Sequence, residues 1–266
     1  MDTIGGFAGK RSTKKYMHLL VDHFTHFAYV RTSTNQHASV FIRLVDSVHT
    51  DNKIELLLTD QYGGLTSNEF EAYLEKEGIQ HIITAVDSAF SNWLNERTGQ
   101  TLVNRIRCGY NEGKNKKAWC AVAMDCVQQY NNTPHSSTGF APNYLLNGVS
   151  YEIVPNEFVT PRNLTKDREL AFERSKKSHD RNKKHYDKTK KEGNFEVGEM
   201  IYVENGNRLN RKKLDEIRIG PFPIVRKLGE YVFELDTGRP AYSRKLYHIS
   251  KLIKADGVRS VSNIET

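Results

Sequence analysis

Asp60 closes a short apolar run, IELLLT, and stands just before the Gly63-Gly64 break. A carboxylate at the C-terminal end of a strand is where an α/β protein tends to present reactive groups, because the strand ends open into a crevice shaped by the loops. With 32 acidic residues in the chain, carboxylates at any chosen spacing are easy to find, so one Asp defines nothing without context. Glu96 supplies that context. It lies in the opening turns of a helix that leaves the strand-and-loop HIITAVDSAFSN, and it can lean back over the strand end that carries Asp60. Two carboxylates then converge. Helical spacing puts Gln100, Val103, Asn104 and Arg107 on the Glu96 face, pointing toward whatever the acidic pair binds.

The elements that must position this pair follow from periodicity. Residues Lys15 to Thr32 read as two β-rich runs separated by the polar-aromatic DHFTH, and Gln36 to His49 turns to helical spacing with Val40, Leu44 and Val48 on one face. After IELLLT comes a helix through Phe70, Tyr73, Leu74 and Glu77, closed by Gly78, and then the strand IQHIIT. Strand, helix and strand again is the alternation of an α/β domain with helices packed on a mostly buried sheet. Ser91 or Asn92 can cap the Glu96 helix, which runs to about Arg107; Trp119 to Tyr130 continues in helical period before the turn-rich NNTPHSSTGFAP. The first domain is expected to close near Gly148 and is assigned residues 1–150. Residues 151–193 are expected to be a linker whose Asn163 to Glu192 stretch, dominated by Lys, Arg, Asp and Glu, forms an exposed basic helix. From 194 to 254, FEVGEMIYVE, GPFPIVRKL, YVFELD and KLYHISKLI are short β-prone runs at the spacing of a small all-β barrel. Residues 255–266 are polar and aperiodic and read as a flexible tail.

Composition bounds the partners. The formal net charge is +7, from 39 Lys and Arg against 32 Asp and Glu, which favours a polyanionic partner but also fits basic proteins that bind nothing anionic. The three cysteines, Cys108, Cys120 and Cys126, form no Cys-x-x-Cys pair and have no histidine at zinc-finger spacing, so they read as reduced thiols in a core. No apolar run approaches the roughly 18 residues needed to span a bilayer, and Met1 to Lys15 lacks the hydrophobic stretch of a secretory signal. No membrane association and an intracellular location are expected, and the Asn-x-Thr triplets at Asn131 and Asn163 then read as coincidence.

LLTDQYGGLTS followed by SNWLNERTGQTL, with 35 residues between Asp60 and Glu96, resembles the integrase core of gypsy-type LTR retrotransposons and retroviruses. The resemblance extends through YNNTPHSSTGFAPNYLLNG and FEVGEMIYV to LDEIRIGPFPIVRKL and YHISKL, and so covers nearly the whole chain. It implies a ribonuclease-H-like mixed sheet with flanking helices, then the basic linker helix and a Src-homology-three-like barrel that contacts DNA, as in the core and C-terminal domain of a Pol polyprotein. The family's first catalytic Asp lies on the first strand, shortly before a Gly-containing turn, and DTIGGFAG puts Asp2 in that role. From the residues alone Asp22 in HLLVDHF is also open, with only its place at the end of the second strand against it.

By this resemblance Asp2, Asp60 and Glu96 form an Asp-Asp-Glu metal site. Three carboxylates without thiolate or imidazole suit hard cations, so Mg²⁺ or Mn²⁺ is the expected cofactor. The implied activity is DNA integration by a metal-dependent polynucleotidyl transferase: water first trims the retroelement end, and the exposed 3′-hydroxyl then attacks the target duplex. DNA contacts are expected from Arg97, Gln100 and Arg107 and from Arg211, Lys212 and Lys213, the barrel and linker cations positioning the duplex without reading its sequence. A homo-oligomer acting in the nucleus is implied. Departures from the family pattern are that only Met1 precedes Asp2, which predicts a shortened first strand, that Trp93 stands where the family usually has Gly, that Gln100 stands where relatives often carry a base, and that the N-terminal zinc module is absent. Trp93 either packs as core or obstructs the loop over the site. Two rival readings remain: a non-catalytic DNA-binding relic of a mobile element, and a plain ribonuclease-H-type nuclease, against which GFAP and the barrel argue.

Overall fold

The computed structural model describes residues 1–7, 11–84, 93–112, 117–149, 162–187, 194–204, 218–238 and 244–255. The chain divides into two compact units, one of residues 1–82 with 92–188, the other of 83–91 with 189–266.

The first unit is mixed α/β. Strands β1 (Asp2–Ile4), β2 (Tyr16–Val21) and β3 (Ala28–Ser33) form an antiparallel sheet with β2 in the centre, in a register that sets Asp2 opposite Leu19 and Leu19 opposite Val30. Strands β4 (Leu56–Thr59) and β5 (Gln80–Ile83) pair with each other, and the Met1 nitrogen donates to the Leu58 carbonyl at 2.6 Å, tying the start of β1 to β4. Successive side chains of a strand point to opposite faces, and β2 is buried on both. Met17, Leu19 and Val21 pack against Leu94, Leu102 and Ile106 of α3 (Trp93–Glu112) and Trp119, Ala123 and Val127 of α4 (Trp119–Asn131). Leu20 lies in the other cluster, with Phe41, Leu44, Val45 and Val48 of α1 (Ala38–Asp51) and Phe70 and Leu74 of α2 (Asn68–Lys76). Helices thus cover both faces of the sheet, and each fully buried Leu or Phe contributes about 2–3 kcal/mol.

Polar groups complete this packing. The buried Asn131 side chain accepts from Ala28 N and donates to Ala28 O, both at 2.9 Å, taking the place of a neighbouring strand. Its Asn-x-Thr triplet therefore marks a core amide. Ser67 caps α2 by accepting from Phe70 N. Of the cysteines expected in a core, Cys126 is buried and Cys120 partly so, but Cys108 is exposed; it falls on the solvent side of α3.

After the short helix α5 (Pro142–Asn147) comes α6 (Leu164–Asp187), the helix read as an exposed linker. Its first half is docked on the first unit. Ala171 and Leu164 pack with Tyr144 and Leu145, Arg168 donates to the carbonyls of Leu145 (2.8 Å) and Leu146 (2.9 Å), and Asp167 accepts from the Tyr144 hydroxyl at 2.6 Å.

The described β-structure of the second unit is a five-stranded antiparallel sheet of β6 (Met200–Glu204), β7 (Arg218–Lys227), β8 (Val232–Asp236), β9 (Arg244–His248) and β10 (Leu252–Lys254), ordered β10-β6-β7-β8-β9. Its core gathers Ile201, Val203, Ile224, Phe233, Leu235 and Leu252, and register shifts in the β6–β7 and β7–β8 pairs sharpen the local twist. Among the described residues no helix is long and apolar enough to cross a membrane. Arg211, Lys212, Lys213, the 151–161 and 188–193 parts of the linker, the tail from 256, the 91–92 capping positions and the Trp93 side chain lie outside the described residues.

Candidate active site

The register of β1 against β2 places Asp2 at the sheet edge next to α3 and β4. Gly99 lets β1 approach α3 closely: a Cβ there would lie 2.8 Å from Ile4 Cδ1, so a larger residue would require the Ile4 side chain to shift. The result is an open cleft of about 510 Å³, lined by Asp2 and Ile4 from β1 and by Glu96, Gly99, Gln100, Val103, Asn104 and Arg107 from α3. The face read from helical spacing is therefore the face that lines the cleft. Ile4 and Gly99 were not singled out by sequence, although a glycine within a helical run is itself a signal of close approach.

Asp60 follows the end of β4 beside Asp2. Its Oδ1 is buried and has no hydrogen-bond partner among the described residues, an expensive state for a carboxylate oxygen. Burial, and after it the Asp2 charge, raise the Asp60 carboxyl above its ordinary pKa, while the backbone N–H of Tyr62 acts in the opposite direction. Burial also raises Asp2, opposed by the Thr3 N–H, which donates to Asp2 Oδ1 at 2.6 Å, and by the N-terminal charge. Glu96 is exposed, with Gln100 Nε2 3.5 Å from its Oε1. Asp2 and Glu96 thus share a cleft and Asp2 and Asp60 share a field. Among the described residues, however, no three His, Cys, Asp or Glu side chains converge closely enough to share a metal ion.

Asp22 has a different occupation. Its Oδ1 accepts from Thr25 N at 2.7 Å and Thr25 Oγ1 at 2.6 Å, and its backbone closes the β2–β3 connection with His26 and Phe27. This is an Asx-type turn, for which the Asp-x-x-Thr spacing was already a signal. Arg97 does not line the acidic cleft. With Thr98 and Thr101 it lines a second cavity, of about 340 Å³, on another flank of α3.

No family model matches the chain. Among solved structures it is similar to a chain of the cryoEM structure of the simian T-cell lymphotropic virus intasome in complex with PP2A regulatory subunit B56 gamma, with 13% identity and a TM-score of 0.57 over 95% of this chain and 76% of that one. Two structures of the HTLV-2 integrase catalytic core domain in complex with magnesium, in trimeric and dimeric form, align at 17% identity over 53% of this chain and 89% of theirs, with TM-scores of 0.45 and 0.44. The class defined at this level is an integrase-like fold.

Proposed function

We propose that the chain is the catalytic core and C-terminal part of a retrotransposon-type integrase, a polynucleotidyl transferase that processes retroelement DNA ends and joins them to target DNA. The reading takes the first unit as a ribonuclease-H-like core and the second as a Src-homology-three-like, DNA-contacting barrel, with DNA as the partner, a homo-oligomer as the working form and the nucleus as its place of action. The observation that carries it is the convergence of Asp2 and Glu96 on one cleft, with the orphaned carboxylate oxygen of Asp60 beside Asp2.

The donor chemistry fits a hard divalent cation. Two half-buried carboxylates whose proton affinity burial raises, Asp60 further by the Asp2 charge and with an oxygen lacking any donor among the described residues, are held more cheaply with a cation than without. Asp2, Asp60 and Glu96 would hold Mg²⁺ or Mn²⁺, which when bound supplies Lewis-acid polarisation of a phosphodiester and activation of the attacking oxygen. The chain's own residues bind and orient. Gln100, Asn104 and Arg107 offer amide and guanidinium donors along the cleft to the phosphates of a strand whose scissile group lies near Glu96.

The test is Mn²⁺-dependent strand joining, and its reversal on a branched oligonucleotide, by the chain and by Glu96→Gln. Joining abolished in the variant, with DNA binding retained, supports the transferase. A second reading, a DNA-binding protein without turnover, draws on the three carboxylates not closing on one point among the described residues; it predicts salt-sensitive binding indifferent to Mg²⁺ and to Glu96→Gln, with no joining.

A further inference from the structure

The second cavity on α3 is lined mainly by hydrogen-bonding side chains, with Leu94 and Tyr130 beside them. Arg97 and Thr101 come from α3, His135 and Ser137 from the turn after α4, and Ser178 and Asn182 from α6; among the described residues no Asp or Glu is in its walls. In a chain with 32 acidic residues, a cavity walled by a guanidinium, hydroxyls, an amide and an imidazole is built to receive an anion.

The turn that carries His135 is held in place from behind. His26, nearly fully buried and in the left-handed region at φ 63°, sets its Nδ1 3.1 Å from His135 Nδ1, the two rings meeting edge-on. The Ser137 backbone N–H also approaches His135 Nδ1, at 3.3 Å. A backbone N–H can only donate, so His135 Nδ1 presents its lone pair and the ring proton sits on Nε2. Ser137 Oγ at 2.9 Å and His26 Nδ1 at 3.1 Å also stand within hydrogen-bond reach of that nitrogen. The consequence is a neutral His135 that offers an Nε2–H donor, on a ring that lines the cavity beside Arg97. Docking of α6 completes the wall: Arg174 donates to the Thr138 carbonyl at 3.4 Å, and Ser178 and Asn182 follow at helical spacing on the same side.

We propose that this cavity is a phosphate-binding pocket that holds a backbone phosphate of a nucleic-acid strand, on a flank of α3 separate from the acidic cleft. The identity of the strand rests on the transferase reading; the anion site does not. Because Glu96 and Arg97 are consecutive, a strand lying across the first turns of α3 presents one phosphate to the acidic cleft and another to the donor pocket. The cleft gives the reacting group its place, and the pocket keeps the strand from sliding.

The test measures binding of a fluorescein-labelled single-stranded 20-mer to the full chain in EDTA, where no divalent cation contributes. Arg97→Gln is expected to weaken binding about tenfold and to lower the salt-dependence slope by about one, with Ser137→Ala in the same direction. Lys76→Gln, which removes an equal charge from an exposed site on α2, is expected to change binding less than about twofold. Equal effects of Arg97→Gln and Lys76→Gln overturn the proposal. In parallel, the His135 ring Cε1–H resonance is expected to move on adding either the oligonucleotide or inorganic phosphate, and in Arg97→Gln to move with neither. A response to inorganic phosphate alone makes the pocket a free-phosphate site and overturns the strand assignment. Failure of strand joining with this binding pattern intact removes the transferase reading and leaves the pocket; joining intact without Arg97 dependence removes the pocket alone.

Discussion

Glu96 and Arg97 are neighbours in the chain, yet the cavities they line have opposite character. The cleft on the Glu96 flank includes Asp2, with Asp60 beside it, and it buries carboxylates whose charges oppose one another. Among the described residues the cavity on the Arg97 flank has no carboxylate in its lining, and it offers donors from three separate segments. One flank holds carboxylates whose proton affinity burial raises, and the other presents hydrogen-bond donors. Stability and ligand response should therefore move in opposite directions on the two sides of one helix.

The largest effect expected from breaking this contrast is on turnover. Glu96→Gln should lower Mn²⁺-dependent joining by about 10³-fold or more, roughly 4 kcal/mol in the barrier, while oligonucleotide affinity stays within about threefold. A gel assay of joining beside anisotropy separates the two quantities, and an equal loss in both would mean the flanks do not act separately.

Acidification sharpens the contrast by its sign. Burial lowers His18 and His26 from an ordinary 6.5 to about 4. Below pH 6.5 the unfolded chain binds protons that the folded chain refuses, so stability is lost as pH falls from 6.5 toward 4. Each of the two histidines costs about 1.4 kcal/mol by pH 5.5. Asp2 and Asp60 act oppositely, because their raised folded pKa values let the folded chain take up protons first. Urea midpoints at pH 7.5 and 5.5 should show a net fall, steeper in Asp60→Asn, from which one opposing acid is gone.

At constant pH 7.5, without divalent cation, Asp60→Asn should be stabilising by about 1–2 kcal/mol, because it removes a buried, under-donated charge. That corresponds to a rise of several degrees in Tm. Adding Mg²⁺ should raise the Tm of the unaltered chain and leave the variant's where it is. Equal Mg²⁺ responses would show that the acidic flank does not hold the cation.

The smallest expected effect comes from Gly99→Ala. The added Cβ meets the flexible end of Ile4 rather than backbone, so stability should change by less than about 1 kcal/mol. The push on β1 should nevertheless displace Asp2 and slow joining several-fold, with binding in EDTA unchanged.

Much of the acidic flank was legible in the sequence because it depends on short-range regularities. An apolar run ending in Asp60 and the helical period from Glu96 to Arg107 need no knowledge of neighbours, and both elements fall where the pattern puts them. Asp22 was open to two readings because a carboxylate at a strand end can react or close a turn; its two bonds to Thr25, three residues on, show the turn. Of the donor pocket only Arg97 was legible. Its walls lie at 94–101, 130–137 and 178–182, and the last of these belongs to a helix whose composition looks fully solvated.

By itself the sequence determined the elements and the carboxylates at a strand end and a helix start, since these follow from backbone periodicity and side-chain chemistry. Only the tertiary structure decided that β1 reaches α3 at Gly99, that Glu96 and Arg97 open onto different cavities and that α6 docks to wall one of them. Those outcomes depend on packing between segments far apart in the chain, which local pattern does not encode.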